Sequence, residues 1–233
     1  EDEWLEGDSY PFAIDLDLPR REMGVAVAQY GVFRVLDSNT VELNGIVGSS
    51  APREFAALLR TFPGVTTLKI TDCAGTDDDE ANFALARMIR SRGMTTYVPS
   101  YGSARSGGVE LFLAGARRRA DVGAQFAVHS WRDDDGYEAG DFALSDPVHQ
   151  DYIRFYRDMG MSDANARAFY QLTNSVGFDD VLWLTKADLA RFEASAASLA
   201  CSSSCVRVTM VRSASSRALT CVRRRLARAS SRS

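Results

Sequence analysis

Ser106 sits in the run Gly102-Ser103-Ala104-Arg105-Ser106-Gly107-Gly108, where small residues crowd a serine between two apolar segments. A nucleophile placed where a helix begins gains from the helix dipole and from free backbone N–H groups. Gly107, directly after the serine, lets the backbone present its N–H to a developing oxyanion. The chemistry that such a run suits is acyl transfer; a glycine-rich turn with no chemistry is the plainer alternative. A serine also needs a base, because its hydroxyl stays protonated at neutral pH. The chain has two histidines. His129 ends the β-branched and aromatic run that follows the serine-bearing segment. His149 lies at a Pro-Val-His-Gln helix start and is expected at the surface. A third group would have to orient the imidazole. The later acids near a strand are Asp179 and Asp180, ahead of Val181-Leu182-Trp183-Leu184-Thr185, and either of them is equally placed to cap the turn there.

Positioning these residues takes ordered elements. Residues 31–36 and 40–47 are β-branched runs joined by Asp37-Ser38-Asn39, which predicts a hairpin. Pro52 opens a helical pattern with Phe55, Leu58, Leu59 and Phe62 on one face, stopped by Pro63-Gly64. A strand follows over 65–71. Asp77-Asp78-Asp79-Glu80 is an acidic start suited to a helix N-terminus, and that helix ends near Gly93. Residues 94–98 are the next strand, 106–116 a short apolar helix, and 125–129 a strand. Helices are expected over 147–159 and 163–172, then a last strand over 181–185 and a short helix. Strands alternating with helices at this spacing mean right-handed crossovers and a mostly parallel sheet, an α/β fold. Sites in such folds collect at the carboxyl ends of the strands. Three of those ends carry unusual residues: Asp72-Cys73-Ala74-Gly75, the Gly102–Gly108 run, and His129. Ser106 and His129 are therefore expected along one edge of the sheet.

With these residues in place, the chain resembles the Clp-type protease proteolytic subunits. Gly102 to Gly108 matches their Gly-x-Ala-x-Ser-x-Gly pattern around the nucleophile. Leu111-Phe112-Leu113-Ala114-Gly115 is similar to the apolar helix and glycine that follow it. Residues 119–129 resemble the strand that ends in the family's histidine. The resemblance covers roughly Thr40 to Phe192 and is closest to exported, stand-alone bacterial members, where Trp183-Leu184-Thr185 has a counterpart. It implies a ClpP/crotonase-type superhelix of ββα units. It also implies Ser106 as nucleophile, His129 as base, Gly75 and the backbone of Gly107 as oxyanion donors, and an aspartate at or beside Asp180, with Asp179 open. Asp72-Cys73-Ala74-Gly75 departs from the family's Asn-Ser-Pro-Gly-Gly. Arg105 stands where a small residue is usual, and Arg132-Asp133-Asp134-Asp135-Gly136 is an acidic insertion. No long handle segment is visible, so neither the stacked double ring nor its ATPase partner is carried over.

The function expected is a serine hydrolase, most simply a peptidase on peptide or protein substrates, working through an acyl-enzyme and a Ser-His-Asp triad. No cofactor and no metal are expected, and a homo-oligomer stays open. A lysine base, as in signal-peptide peptidases of the same fold, would need Lys69 or Lys186, neither in a suitable place. A binding protein of the same fold without chemistry and a crotonase-type acyl-CoA hydratase or isomerase are the alternatives. The longest apolar run, residues 111–116, is too short to span a bilayer.

The 233 residues carry a formal charge of -4, an average of two unlike parts. Residues 193–233 hold one acid, Glu193, and eight arginines, about +7, with no aromatic, glycine or proline, so 1–192 carry about -11. Nucleic acid is accordingly not expected as a partner of the folded part. Three segments follow: an irregular arm over 1–24, a hydrolase domain over 25–192, and a basic tail over 193–233 with too little to bury to fold alone. The tail reads as a basic arm, a solvated extension or an out-of-frame end. Cys201, Cys205 and Cys221 lie in it without a histidine to complete a zinc set. The chain starts at Glu1, so a processed form that has lost an export signal stays open, and the resemblance favours export.

Overall fold

The computed structural model describes residues 25–185 and 187–192. The arm over 1–24, Lys186 and the tail with its three cysteines lie outside them. Strands β1 (Ala28–Tyr30), β2 (Phe33–Val35) and β3 (Thr40–Asn44) form an antiparallel meander. The turn between β2 and β3 is the Asp37 turn foreseen in the sequence. Asp37 Oδ1 accepts from the backbone N–H of Asn39 at 2.7 Å and of Thr40 at 2.9 Å, and these bonds hold its carboxyl below the ordinary carboxylate value.

Helix α1 (Ala51–Thr61) buries Ala51, Phe55, Leu58 and Leu59, the apolar face that its period requires, with Pro52 in the first turn. It leads into β4 (Thr67–Cys73), parallel to β3. Helix α2 (Asp79–Ser91) is capped by Asp78, whose side chain accepts from the Ala81 N–H. Beyond α2 come β5 (Thr95–Val98) and β6 (Ser103–Arg105), then α3 (Gly107–Leu113), then β7 (Arg117–Ala120) and β8 (Gln125–Val128). Helices α4 (Val148–Asp158) and α5 (Asp163–Thr173) follow. Strand β9 (Leu182–Trp183) runs antiparallel to β8, and a short helix over 187–192 closes the described chain.

The sheet divides at β4. The first half of β4, Thr67 to Lys69, pairs with β5, which pairs with β7. Its second half, Asp72 and Cys73, pairs with β6, which pairs with β8. Helices α3 and α4 are thus each preceded by two strands, one for each wing, while the single long strand β4 ahead of α2 serves both wings; the repeated unit is ββα, and the pairings of β4 to β8 are all parallel. The α/β class and the ββα organisation match the expectation. The sequence reading missed β1, β6 and β7. Strand β6 is three residues long and buried on both faces, so it shows neither alternation nor a long apolar run. Strand β7 is Arg-Arg-Arg-Ala and mostly exposed, and it holds its place through backbone bonds to β5.

All seven residues of α3 are buried. It is the axis that the other layers wrap. Cys73 on β4 sits so close that a Cβ on Gly108 would lie 2.9 Å from its Sγ, so glycine is the residue that lets strand and helix touch. On the far side α4 and α5 close the core, with Phe83 stacked on Phe155 at 4.3 Å between ring centres. Among the described residues no helix is long and apolar enough to cross a membrane.

Candidate active site

The parallel register of β6 and β8 brings Ser106 and His129 to one edge. Arg105 lies opposite Ala127, and the Ser106 N–H donates to the Ala127 carbonyl at 2.9 Å. Ser106 and His129 are therefore the first residues past the carboxyl ends of two neighbouring strands. Both line the same cleft, together with Gly107 at the start of α3.

Ser106 has φ +48° and ψ -124°, and among the described residues it is the one non-glycine with positive φ. Such a conformation costs about 1–3 kcal/mol and persists only where its surroundings enforce it. Two of those enforcers can be named. The first is the ion pair between Arg105 and Asp72 at 2.9 Å, supplemented by Arg105 Nη1 donating to Ser103 Oγ at 2.8 Å. Arg105, the residue that departs from the family pattern, thus ties the end of β6 to β4. The second is Gly75. Its φ is +145°, and a Cβ there would lie 3.1 Å from Ser106 Cβ and 3.5 Å from Oγ. The strand end carrying Gly75 therefore passes directly against the serine, despite lacking the Pro-Gly-Gly sequence. Cys73, two residues earlier, is fully buried and its thiol is pushed up to about 12 by desolvation, so it is an inert packing group.

His129 is half-buried. Its Nδ1 lies 2.7 Å from the Ser130 carbonyl oxygen, the geometry of an Nδ1–H donor, which leaves Nε2 as the basic nitrogen. Burial lowers the imidazole below the ordinary histidine value. The Ser130 contact and the carboxylates of Glu138 and Asp179 oppose that shift, and Arg132 adds to it. Phe178 packs edge-on against the ring at 4.8 Å. Ser130 itself is well held: it is buried, its N–H donates to the Val176 carbonyl, and its hydroxyl lies 3.1 Å from Asn174 Oδ1.

The two candidate aspartates are both exposed. Asp179 pairs with Arg132 at 3.4 Å. Asp180 bonds through its backbone N–H to the Gly177 carbonyl at 3.2 Å. Glu138 is a third acid beside the ring. Its carboxylate accepts from the Phe178 N–H at 3.0 Å, and among the acids it has the largest influence on His129. It sits at the end of the acidic insertion, bridged back to Arg132, and nothing in its local sequence marks it.

His149 corrects the surface expectation. It is 3% exposed, with Nδ1 at 2.7 Å from the Tyr170 hydroxyl and Nε2 at 3.0 Å from the Ala143 carbonyl. The reason is the packing of α4 on α5, which turns this helix start inward onto Tyr170. That hydroxyl also accepts from Trp131 Nε1 at 2.9 Å, so His149 braces the aromatic wall of the cleft and does not enter the cleft itself.

A second group of side chains in the cleft had no sequence signal. Glu110, one turn along α3 from Ser106, is buried and shares the cleft with Asp79 from α2 and with Tyr152 and Tyr156 from α4. Glu110 accepts from Asn82 Nδ2 at 2.8 Å and from the Tyr156 hydroxyl at 3.2 Å. The Tyr152 hydroxyl donates to Asp79. Desolvation, reinforced by the Asp79 charge, pushes the Glu110 carboxyl up to about 8. Among the described residues no group of three or more His, Cys, Asp or Glu side chains is arranged to hold a metal ion.

No protein-family model matches the chain, and no curated protein matches it. Solved structures do resemble it. A mutant of the membrane-bound stomatin-specific protease 1510-N, in complex with a substrate peptide, is 16% identical, with a TM-score of 0.43 over 66% of this chain and 70% of that one. A second mutant of the same protease is 14% identical, with a TM-score of 0.44 over 66% and 74%. A ClpP1 mutant from Listeria monocytogenes is 15% identical, with a TM-score of 0.40 over 67% and 88%. The likeness is one of fold.

Proposed function

We propose that the chain is a serine hydrolase that cleaves peptide bonds through an acyl-enzyme. The observation that carries this reading is the strained backbone of Ser106 at a strand-to-helix junction, pressed against Gly75, with His129 past the end of the adjacent parallel strand in the same cleft. In the first half-reaction Ser106 Oγ bonds to the scissile carbonyl carbon and His129 Nε2 takes the hydroxyl proton. The C–N bond then breaks and the proton passes to the leaving amine. In the second half-reaction water gives its proton to Nε2 and its oxygen to the acyl carbon, and the proton returns to Ser106. The Gly75 and Gly107 N–H groups hold the oxyanion. The Ser130 carbonyl orients the ring at Nδ1, and the carboxylates of Glu138 and Asp179 favour the imidazolium, with Asp180 next to Asp179 in the chain.

A fluorophosphonate probe tests this reading. Wild-type protein is expected to be labelled on Ser106, with labelling absent in Ser106→Ala and reduced at least about 100-fold in His129→Ala. Absence of wild-type labelling, or labelling that persists in Ser106→Ala, removes the hydrolase and favours a binding protein of the same fold.

A further inference from the structure

We infer that the cleft beside Ser106 is a specificity pocket for a cationic side chain, so that the preferred substrate presents lysine or arginine at the residue whose carbonyl is attacked. This deepens the hydrolase reading and rests on it for the position of the scissile bond.

The cleft that holds Ser106 and His129 extends along the first turn of α3 to the Glu110 carboxyl and is flanked by Asp79. These two carboxyls come from different helices, and neither of them forms an ion pair of 4 Å or less with Lys or Arg among the described residues. Among the described residues no lysine or arginine lines the cleft. Three aromatic residues line it, Trp131, Tyr152 and Tyr156, with the rings of Trp131 and Tyr152 nearly parallel at 6.1 Å. Rings and carboxylates together are the chemistry that receives an ammonium or guanidinium group, through cation–π attraction on one side and charge-assisted hydrogen bonds on the other.

An acyl chain that ended in a carboxylate would add a third acidic group beside Asp79 and Glu110, and a neutral chain would leave Glu110 protonated and gain no charge-assisted bond from it. Near pH 8 part of the Glu110 population is protonated, because burial and the Asp79 charge disfavour a second anion. A bound cation reverses that preference, so binding releases a proton. The groups that face Glu110 are Asp79 and Asn82 of α2 and Tyr152 and Tyr156 of α4, and none of them supplies a positive charge. Asn82 Oδ1 is buried at the same place without a protein partner.

The test uses the full chain with two peptidyl diphenyl phosphonates that differ only in a lysine or a norleucine at the position next to phosphorus. The lysine probe is expected to react with Ser106 at least about 10-fold faster, the ratio rising between pH 6.5 and 8.5 as Glu110 ionises more readily. Glu110→Gln and Asp79→Asn are each expected to lower that ratio about 10-fold. Asp79 is at the exposed mouth of the cleft, so its variant serves if the Glu110 variant fails to fold. A ratio of one or less in wild type, or a ratio unchanged in both variants, overturns the assignment. Binding of N-acetyl-lysine amide against N-acetyl-norleucine amide, read by tryptophan fluorescence with Trp131 on the wall, separates the two levels. Tighter lysine binding without fluorophosphonate labelling keeps the cation site and removes the hydrolase. Labelling without a lysine preference removes the cation site and keeps the hydrolase.

Discussion

The ring of His129 leans on its own chain: Nδ1 is 2.7 Å from the carbonyl oxygen of Ser130. A backbone carbonyl fixes the tautomer with Nε2 free of the proton and adds no full negative charge. The ring is also desolvated, so its proton affinity falls below the ordinary value of 6.5.

The acid limb of kcat/KM is therefore expected below pH 6.5, since in the proposed reaction the neutral ring is the base. The same depression has a stability sign. The unfolded chain holds the proton more tightly, so His129 makes the fold less stable as pH falls below about 6.5. A pH-rate profile with an acid limb above pH 7 would contradict this.

Ser106 stores backbone strain that glycine would not feel. Ser106→Gly is expected to raise the melting temperature by about 2–6 °C, the equivalent of about 1–2 kcal/mol, while abolishing labelling. Ser106→Ala keeps the Cβ and should gain less. Thermal melts of the two variants side by side check this, and equal melting temperatures would mean the strain is not there.

Gly75→Ala acts in the opposite direction. The new Cβ meets Ser106 at 3.1 Å in a backbone conformation that alanine rarely adopts. The expected outcome is a loss of about 1–3 kcal/mol of stability and, if Gly75 holds the oxyanion as proposed, at least about a 100-fold fall in kcat/KM as it and the serine part. Urea titration and peptide turnover read the two effects separately.

Glu110 gives stability a slope of known sign. Its folded-state affinity for a proton is raised from 4.5 to about 8. Its contribution is fully present below about pH 4.5 and is lost as pH rises through about 8. Urea midpoints at pH 5, 6.5 and 8 should fall in that order, and Glu110→Gln should flatten the series, since the Tyr156 hydroxyl can accept as well as donate.

The two neighbouring aspartates differ in their influence on the base. Asp179 raises the proton affinity of His129 through space. Asp179→Asn should therefore move the acid limb to lower pH by more than Asp180→Asn does. The reverse order in the two pH-rate profiles would return the orienting role to Asp180.

Much of this molecule could be read from residue types in order. The alternation of elements is legible because the helices of 11 to 13 residues carry clear apolar faces, as in Phe55, Leu58 and Leu59 of α1. Ser106 and His129 stand out because a serine among glycines is conspicuous and histidines are few. Gly75 is marked by its place just past a strand end and by the family resemblance. What defeats such reading is proximity without local pattern. Strand β6 is set by pairing on both sides, His149 is drawn inward by a hydroxyl 21 residues away, and Glu138 reaches Phe178 across 40 residues.

The linear order of residues therefore determined the class of fold and singled out the two groups proposed for acyl transfer, because periodicity and rare side chains are local properties. Tertiary structure alone decided which carbonyl meets His129, how Arg105 restrains the serine, and that Glu110 and Asp79 face one cleft. Those are distances between elements, set by how α2 and α4 pack around the buried α3, and burial then changes the charge behaviour of the carboxyls it encloses.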